Sequence, residues 1–362
     1  MAEVTPKTRG HAMQPNGTVA TRPLYHWSPF KDHDELSSLI QGGDSEFIQR
    51  ERGTFQGDFT FVGLDAGTVQ FGYIKLPYIG KGASRVNRAG FLIRLDLRGE
   101  WIWRAEPMDR RSIVYLAPNA EYQDISPGDS AWAFLSFEWQ PLERALSAFT
   151  GTDFTMPPQG CRLFLPEEDS FETLRRRLKA VQAAVRTDPS LLQEPGARRG
   201  MEESVLSVLA LALGSASQIR PVTYGAPARA RVIKHVEACL EARKGETVYL
   251  ADLCAVTGVS ERTLRTVFQQ SYGLSPLQYL KLRRLHQVRR ALRRADSDLN
   301  TVQSVANSFG IWHMGRFAVE YRKLFGESPL ETLKEVRSGA GSKGSLLLPS
   351  LHSRPDFSTP EA

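Results

Sequence analysis

Residues 250–335 carry one short pattern written twice, and nothing else in the chain constrains its fold as tightly. The first copy runs from Ala251 through Cys254 and Gly258 to Ser260, Leu264 and Phe268, and closes on Gly273-Leu-Ser275-Pro276. The second runs from Val302 through Ala306 and Gly310 to His313, Phe317 and Tyr321, and closes on Gly326-Glu-Ser328-Pro329. Counted from Ser260 and from His313, the later landmarks fall at the same steps of 4, 8, 13 and 16. A small residue four positions before a glycine lets two helices approach, and the glycine takes the positive φ of the turn between them. Helical spacing then sets Leu264 with Phe268, and Phe317 with Tyr321, on one apolar face. In each Gly-x-Ser-Pro the glycine ends one helix, the serine caps the next and the proline takes its first position. The reading is two helix-turn-helix units.

Charge is distributed to match. Residues 227–337 hold 19 Lys+Arg against 11 Asp+Glu, a surplus of eight, which leaves the rest of the chain at −2 of the total +6. Between Arg262 and Arg294 there are nine basic residues and no acidic one. A run of this kind on a duplicated helix-turn-helix predicts double-stranded DNA as the partner. Standing alone it would be read as a solvated helix face.

The seven expected helices are 228–243, 250–257, 260–271, 276–294, 300–309, 313–325 and 329–337. This arrangement resembles the AraC/XylS family of bacterial transcription regulators, and Asp296 to Ala306 matches the way that family enters its second unit. Gly310-Ile311 stands where the family has Gly-Phe, one apolar packing residue for another. The resemblance implies a central helix joining two subdomains, each laying a recognition helix in one of two successive major grooves. Off the apolar face, Glu261, Arg262, Arg265, Thr266 and Gln269 point toward DNA in the first helix, and His313, Met314, Gly315, Arg316 and Val319 in the second. The family positions that reach bases fall on Arg262, Arg265, Thr266, Met314, Gly315, Arg316 and Val319, while Arg322 and Lys323 read as phosphate-positioning charges. An arginine fork can bond O6 and N7 of one guanine, and Met314 or Val319 can touch a thymine methyl or simply pack. Each arginine could equally contact a phosphate. Arg283, Arg284, Arg289, Arg290, Arg293 and Arg294 read as phosphate-positioning charges. His313 reads as a helix cap, since no histidine or cysteine partner for a metal lies nearby. Ile311 to Leu333 further looks like the branch containing the ethanolamine-operon activator, and regulators of aromatic-acid catabolism carry similar stretches.

The N-terminal two-thirds has another texture. Strand-like runs at 59–64, 69–74, 90–97, 100–104, 112–116 and 131–139 are separated by turn residues, as in an antiparallel sandwich or barrel. Residues 31–52 read as a helical or irregular lead-in. Two helices follow, and the second is apolar nearly all round from Val205 to Leu213, so it packs within its domain or against a second copy of the chain. Four of the six tryptophans lie among the strands, where Trp101, Trp103 and Trp132 are core or line an effector pocket. In the family resembled, this domain senses a small molecule or mediates dimerisation, often on a cupin-like barrel.

The fold class expected is α+β and multidomain: a β-barrel or cupin-like sensor domain with helices, then an all-α domain with two helix-turn-helix subdomains. The boundaries are 1–22 disordered, 23–214 sensing or dimerisation, 215–228 linker, 229–337 DNA-binding and 338–362 a disordered tail. Cys161, Cys239 and Cys254 make neither a CxxC pair nor an even set, which points to a reducing cytoplasm and away from disulfides or zinc. No catalytic residue, cofactor or metal is expected. Before residue 235 the only histidines are His11, His26 and His33, all outside the strand-rich segment. Ile79-Gly-Lys-Gly-Ala-Ser84 imitates a phosphate loop, but Lys75 stands where a P-loop needs glycine. The reading is a sequence-specific transcription regulator, an activator in the first instance. A small effector of unknown identity, RNA polymerase and a second copy of the chain are its other open partners, and a membrane is not among them. An effector-independent DNA-binding protein, or an enzyme fused to a DNA-binding domain, are the rivals.

Overall fold

A computed structural model describes residues 23–40, 45–96, 98–222, 227–243, 246–295 and 299–340. The expected disordered N-terminus and nearly all of the expected tail lie outside these residues.

The strand texture resolves into two antiparallel sheets. Strands are β1 (Tyr25–Phe30), β2 (Ser45–Gln49), β3 (Gly57–Gly63), β4 (Gly67–Ile74), β5 (Tyr78–Ala83), β6 (Arg88–Arg94), β7 (Trp101–Trp103), β8 (Glu106–Met108), β9 (Ile113–Leu116), β10 (Glu121–Ser126), β11 (Ser130–Glu138), β12 (Cys161–Leu165) and β13 (Gln218–Val222). The large sheet has the order β1-β3-β4-β11-β6-β9-β12-β13, and the small one β2-β5-β10-β7-β8. Helix α1 (His33–Leu39) precedes β2. Helices α2 (Trp139–Thr150), α3 (Glu168–Thr187) and α4 (Pro195–Gly214) complete the domain.

Side chains alternate across a strand, and in the small sheet both faces are used. Phe47, Tyr78, Trp101 and Trp103 turn into the N-terminal core. Ile48, Ile79 and Ile125, with Ile102 beside them, turn the other way and join the core of the C-terminal domain. One sheet is thus shared by two hydrophobic cores. Helix α4 packs within its own domain: its buried residues belong to the N-terminal core, and only Leu211 of the apolar segment is exposed. The segment 215–228, expected to be a linker, includes β13, which pairs with β12 at the sheet edge.

The C-terminal domain is helical: α5 (Pro227–Ala242), α6 (Leu250–Thr257), α7 (Glu261–Tyr272), α8 (Pro276–Arg294), α9 (Val302–Ser308), α10 (Met314–Phe325) and α11 (Pro329–Ala340). The repeat explains their ends. Gly258, Gly273 and Gly326 cap helices in the left-handed region, and Gly310 follows α9 at φ +70°. Ser275 and Ser328 each accept a hydrogen bond from the backbone three residues on, from Gln278 and Glu331. Helix α8 joins the two subdomain cores, giving Tyr279 and Leu280 to the first and Leu285, Val288 and Leu292 to the second. No helix among the described residues is long and apolar enough to cross a membrane.

Candidate nucleic-acid interface and effector cavity

Helix α7 starts at Ser260, whose Oγ accepts from the Thr263 N–H at 3.2 Å. It buries Leu264, Val267, Phe268 and Tyr272. Its other face exposes Glu261, Arg262, Arg265, Thr266 and Gln269. Arg265 pairs with Glu261 one turn back at 3.0 Å, and the Thr266 hydroxyl donates to the Arg262 carbonyl at 3.2 Å. Helix α10 repeats the design, burying Phe317, Tyr321 and Leu324 and exposing Gly315, Arg316, Val319, Arg322 and Lys323. Met314 is half-buried against the subdomain core, so packing takes much of its surface. His313 is exposed at the N-cap position, but its side chain makes no capping hydrogen bond. The expected capping role is therefore one of position alone.

Arg316 pairs at 3.1 Å with Glu320, which Lys281 also reaches at 2.8 Å. Such exposed pairs contribute about 0–1 kcal/mol, so a phosphate or a base edge can displace them at little cost.

The basic face of α8 corrects the sequence reading. Arg283 is buried and donates to the Leu240 carbonyl at 2.6 Å. Arg289, Arg290 and Arg293 turn toward the N-terminal domain rather than solvent. Arg289 pairs with Asp32 and, at 2.8 Å, with Glu327. Arg293 reaches Asp32 at 2.7 Å and Glu35 at 3.2 Å, and Arg290 reaches Asp34 at 2.9 Å. These acids sit at the N-terminus of α1, where the helix dipole already favours negative charge. Sequence could not separate these arginines from phosphate contacts, because their partners lie some 255 positions away. Asp32, His33 and Asp34 also offer ligand atoms within 4.8 Å of one another, but the two carboxylates are engaged by these guanidinium groups.

The same interface holds the repeat by equivalent atoms. Gln123 on β10 donates its side-chain N–H to the Ser271 carbonyl at 2.8 Å. Gln49 on β2 donates to the Leu324 carbonyl at 2.7 Å. Ser271 and Leu324 occupy the same position in the two units, near the C-terminal ends of α7 and α10. Both candidate recognition helices are therefore gripped at the end away from their exposed N-terminal residues. Nearby, Lys81 bonds Glu237 at 2.7 Å and also meets the Tyr279 hydroxyl. Burial works against the Lys81 charge, but Glu237 and Tyr279 more than offset it and hold its pKa above the ordinary lysine value.

On the opposite face of the small sheet lies a cavity of about 60 Å³. Trp101, Trp103 and Trp132 all line it, so the three tryptophans singled out in the sequence meet at one place. The sequence reading missed Phe47, Tyr78, Tyr122 and Asp124, which also stand in the wall. Their strands lack a clean polar alternation, because the face turned from the cavity is covered by the other domain. Asp124 Oδ2 accepts from Trp101 Nε1 at 2.7 Å, and the Tyr78 hydroxyl also hydrogen-bonds to this carboxyl. Burial pushes the Asp124 pKa up to about 7, against these two donors. The imitation phosphate loop is β5, and the Asp124 carboxylate lies over its Gly80, where a Cβ would come within 2.2 Å of Oδ1.

A family signature described as a helix-turn-helix domain matches residues 253–335. The probable thc operon regulatory protein of Rhodococcus erythropolis is 37% identical over 110 residues, 30% of this chain and 33% of that protein. The chain thus spans about a third of that relative's length. The XylDLEGF operon transcriptional activator 2 of Pseudomonas putida is 33% identical over 109 residues, 30% of this chain and 67% of that protein. The chain belongs to the AraC/XylS family. Another XylDLEGF operon transcriptional activator of P. putida carries the likeness into the β domain, at 26% identity over 314 residues, 81% of this chain and 92% of that protein. This AraC/XylS-type protein is a DNA-binding transcription regulator rather than an enzyme.

Proposed function

We propose that the protein activates transcription in the cytoplasm by binding one operator through α7 and α10, with the N-terminal domain sensing a small molecule in the tryptophan-lined cavity. The observation that carries this reading is the small sheet, which has the cavity on one face, the core of the first helix-turn-helix unit on the other, and side chains that grip the ends of both candidate recognition helices. In this reading Arg262, Arg265, Thr266 and Gln269 read one major groove. Gly315, Arg316 and Val319 read the next, with His313 and Met314 at its edge and Arg322 and Lys323 on phosphate. A second copy of the chain and RNA polymerase are the protein partners an activator of this kind would use. The ethanolamine-operon placement rests on Ile311 to Leu333 alone, inside the DNA-binding domain, and so speaks to ancestry more than to ligand.

Arg262→Ala and Arg316→Ala are expected to weaken operator binding by about 1–3 kcal/mol each and to relax base preference at separate positions. Mobility shifts on an operator with single-base changes check this, with the exposed Arg177→Ala as control. If neither variant differs from that control, the assignment of the reading face is wrong.

A further inference from the structure

The cavity wall is specific about charge. Its acidic group, Asp124, is buried and receives hydrogen bonds from the neutral donors Trp101 and Tyr78. No Lys, Arg or His is among the described residues that line the cavity. The nearest cations lie behind the wall: Lys81 points through the sheet to Glu237, and Arg94 pairs with Asp96 at 3.7 Å and lies over the Trp101 ring at 5.5 Å without lining the cavity. Around the carboxyl stand aromatic rings. Trp103 and Tyr122 stack with centroids 5.6 Å apart, and Phe47 meets Tyr78 edge-on at 5.3 Å.

A carboxyl in such a place is held near its neutral form by desolvation, and a cation beside it restores the charged form. Ring faces attract the same cation through their quadrupoles, most strongly where water is excluded. An organic anion would instead hold that carboxyl in its neutral form and find no basic group in the wall to pair with.

We propose that the cavity binds a small organic ammonium ion, its charge on Asp124 and its body against Trp103, Tyr122 and Trp132. The inference rests on the sensor reading above and adds the charge class of the ligand. Trp132 Nε1 is buried without a hydrogen-bond partner, so a ligand that also carries an oxygen acceptor fits better than a bare amine.

Benzylamine, benzyl alcohol and benzoate put three charge states on one skeleton, and calorimetric titration of the full chain ranks them. Benzylammonium is expected to bind at least tenfold more tightly than the alcohol, with benzoate weakest. Asp124→Asn is expected to erase the preference for the amine while keeping the alcohol. Tyr122→Leu, at a half-buried position that a fold tolerates, is expected to weaken the amine more than the alcohol, and it carries the test should Asp124→Asn not fold. Benzoate or alcohol binding as tightly as the amine overturns the charge assignment and leaves the sensor reading standing. So does an amine preference that survives both substitutions. If none of the three compounds binds, the ammonium proposal and the sensor reading fall together.

Discussion

His33 and His286 meet ring to ring across the two domains, with Nδ1 of His286 3.0 Å from Nε2 of His33. The Gln49 N–H donates to His286 Nε2 at 3.0 Å, which leaves the His286 proton on Nδ1 to donate to His33. Both rings are buried and neutral. Burial first, then Arg290 and Arg293, lowers the His33 pKa to about 3, and burial with His33 beside it takes His286 well below 6.5. Asp32 and Asp34 also face the pair, at 3.9 and 3.8 Å from His33. A depressed histidine pKa gives stability that is whole above about 6.5 and lost as pH falls toward the folded value. The pair therefore removes stability as pH falls below about 6.5, by on the order of 1 kcal/mol per pH unit. Urea unfolding at pH 7 and pH 5 should show this loss in the native chain and a flatter profile in His33→Gln/His286→Gln. Equal losses in both would place the acid sensitivity elsewhere. The pair is illegible in the sequence, because a contact spanning 253 positions leaves no local pattern.

At the scale of the element, the duplicated motif set helix limits to within a residue or two, because glycine, serine and proline act on their immediate neighbours. The caps nonetheless differ between the copies. Ser260 makes its capping bond and His313 makes none. Ser260→Ala should thus cost about 1 kcal/mol of stability. His313→Ala should stay within about 0.5 kcal/mol of the native chain. Denaturant midpoints separate the two cases, and a comparable loss from His313→Ala would mean that its side chain does cap α10. Strands that turn one face to solvent would have shown a clean polar alternation. β2, β5 and β10 did not, since Glu46, Lys81 and Gln123 belong to a face that another domain covers. That is why residues 31–52 read as an irregular lead-in and why three sides of the cavity went unseen, while β4, β7 and β11, richer in aromatic and branched residues, were legible.

Across the whole molecule, the two domains are joined by buried polar contacts as well as by the shared apolar core. Removing a donor from a buried carbonyl costs about 1–3 kcal/mol. Gln49→Ala and Gln123→Ala together should loosen the sheet from the ends of α10 and α7, with the Gly53 N–H still bonded to the Leu324 carbonyl and the Glu51 and Gly53 carbonyls losing their Gln49 donor. Scanning calorimetry should then resolve two unfolding steps in the double variant where the native chain shows one. A single step in both would mean that the apolar contact through Ile48, Ile79 and Ile125 suffices to couple them.

Gln123 and Asp124 are adjacent on β10, one turned to the helices and the other to the cavity. Two binding events that share a single strand obey reciprocity. By whatever factor an occupant of the cavity strengthens the grip on an operator, the operator strengthens the hold on that occupant. A promoter-bound copy would then be half-occupied at a lower concentration of the small molecule than a free copy, so the gene already engaged would be the more sensitive detector.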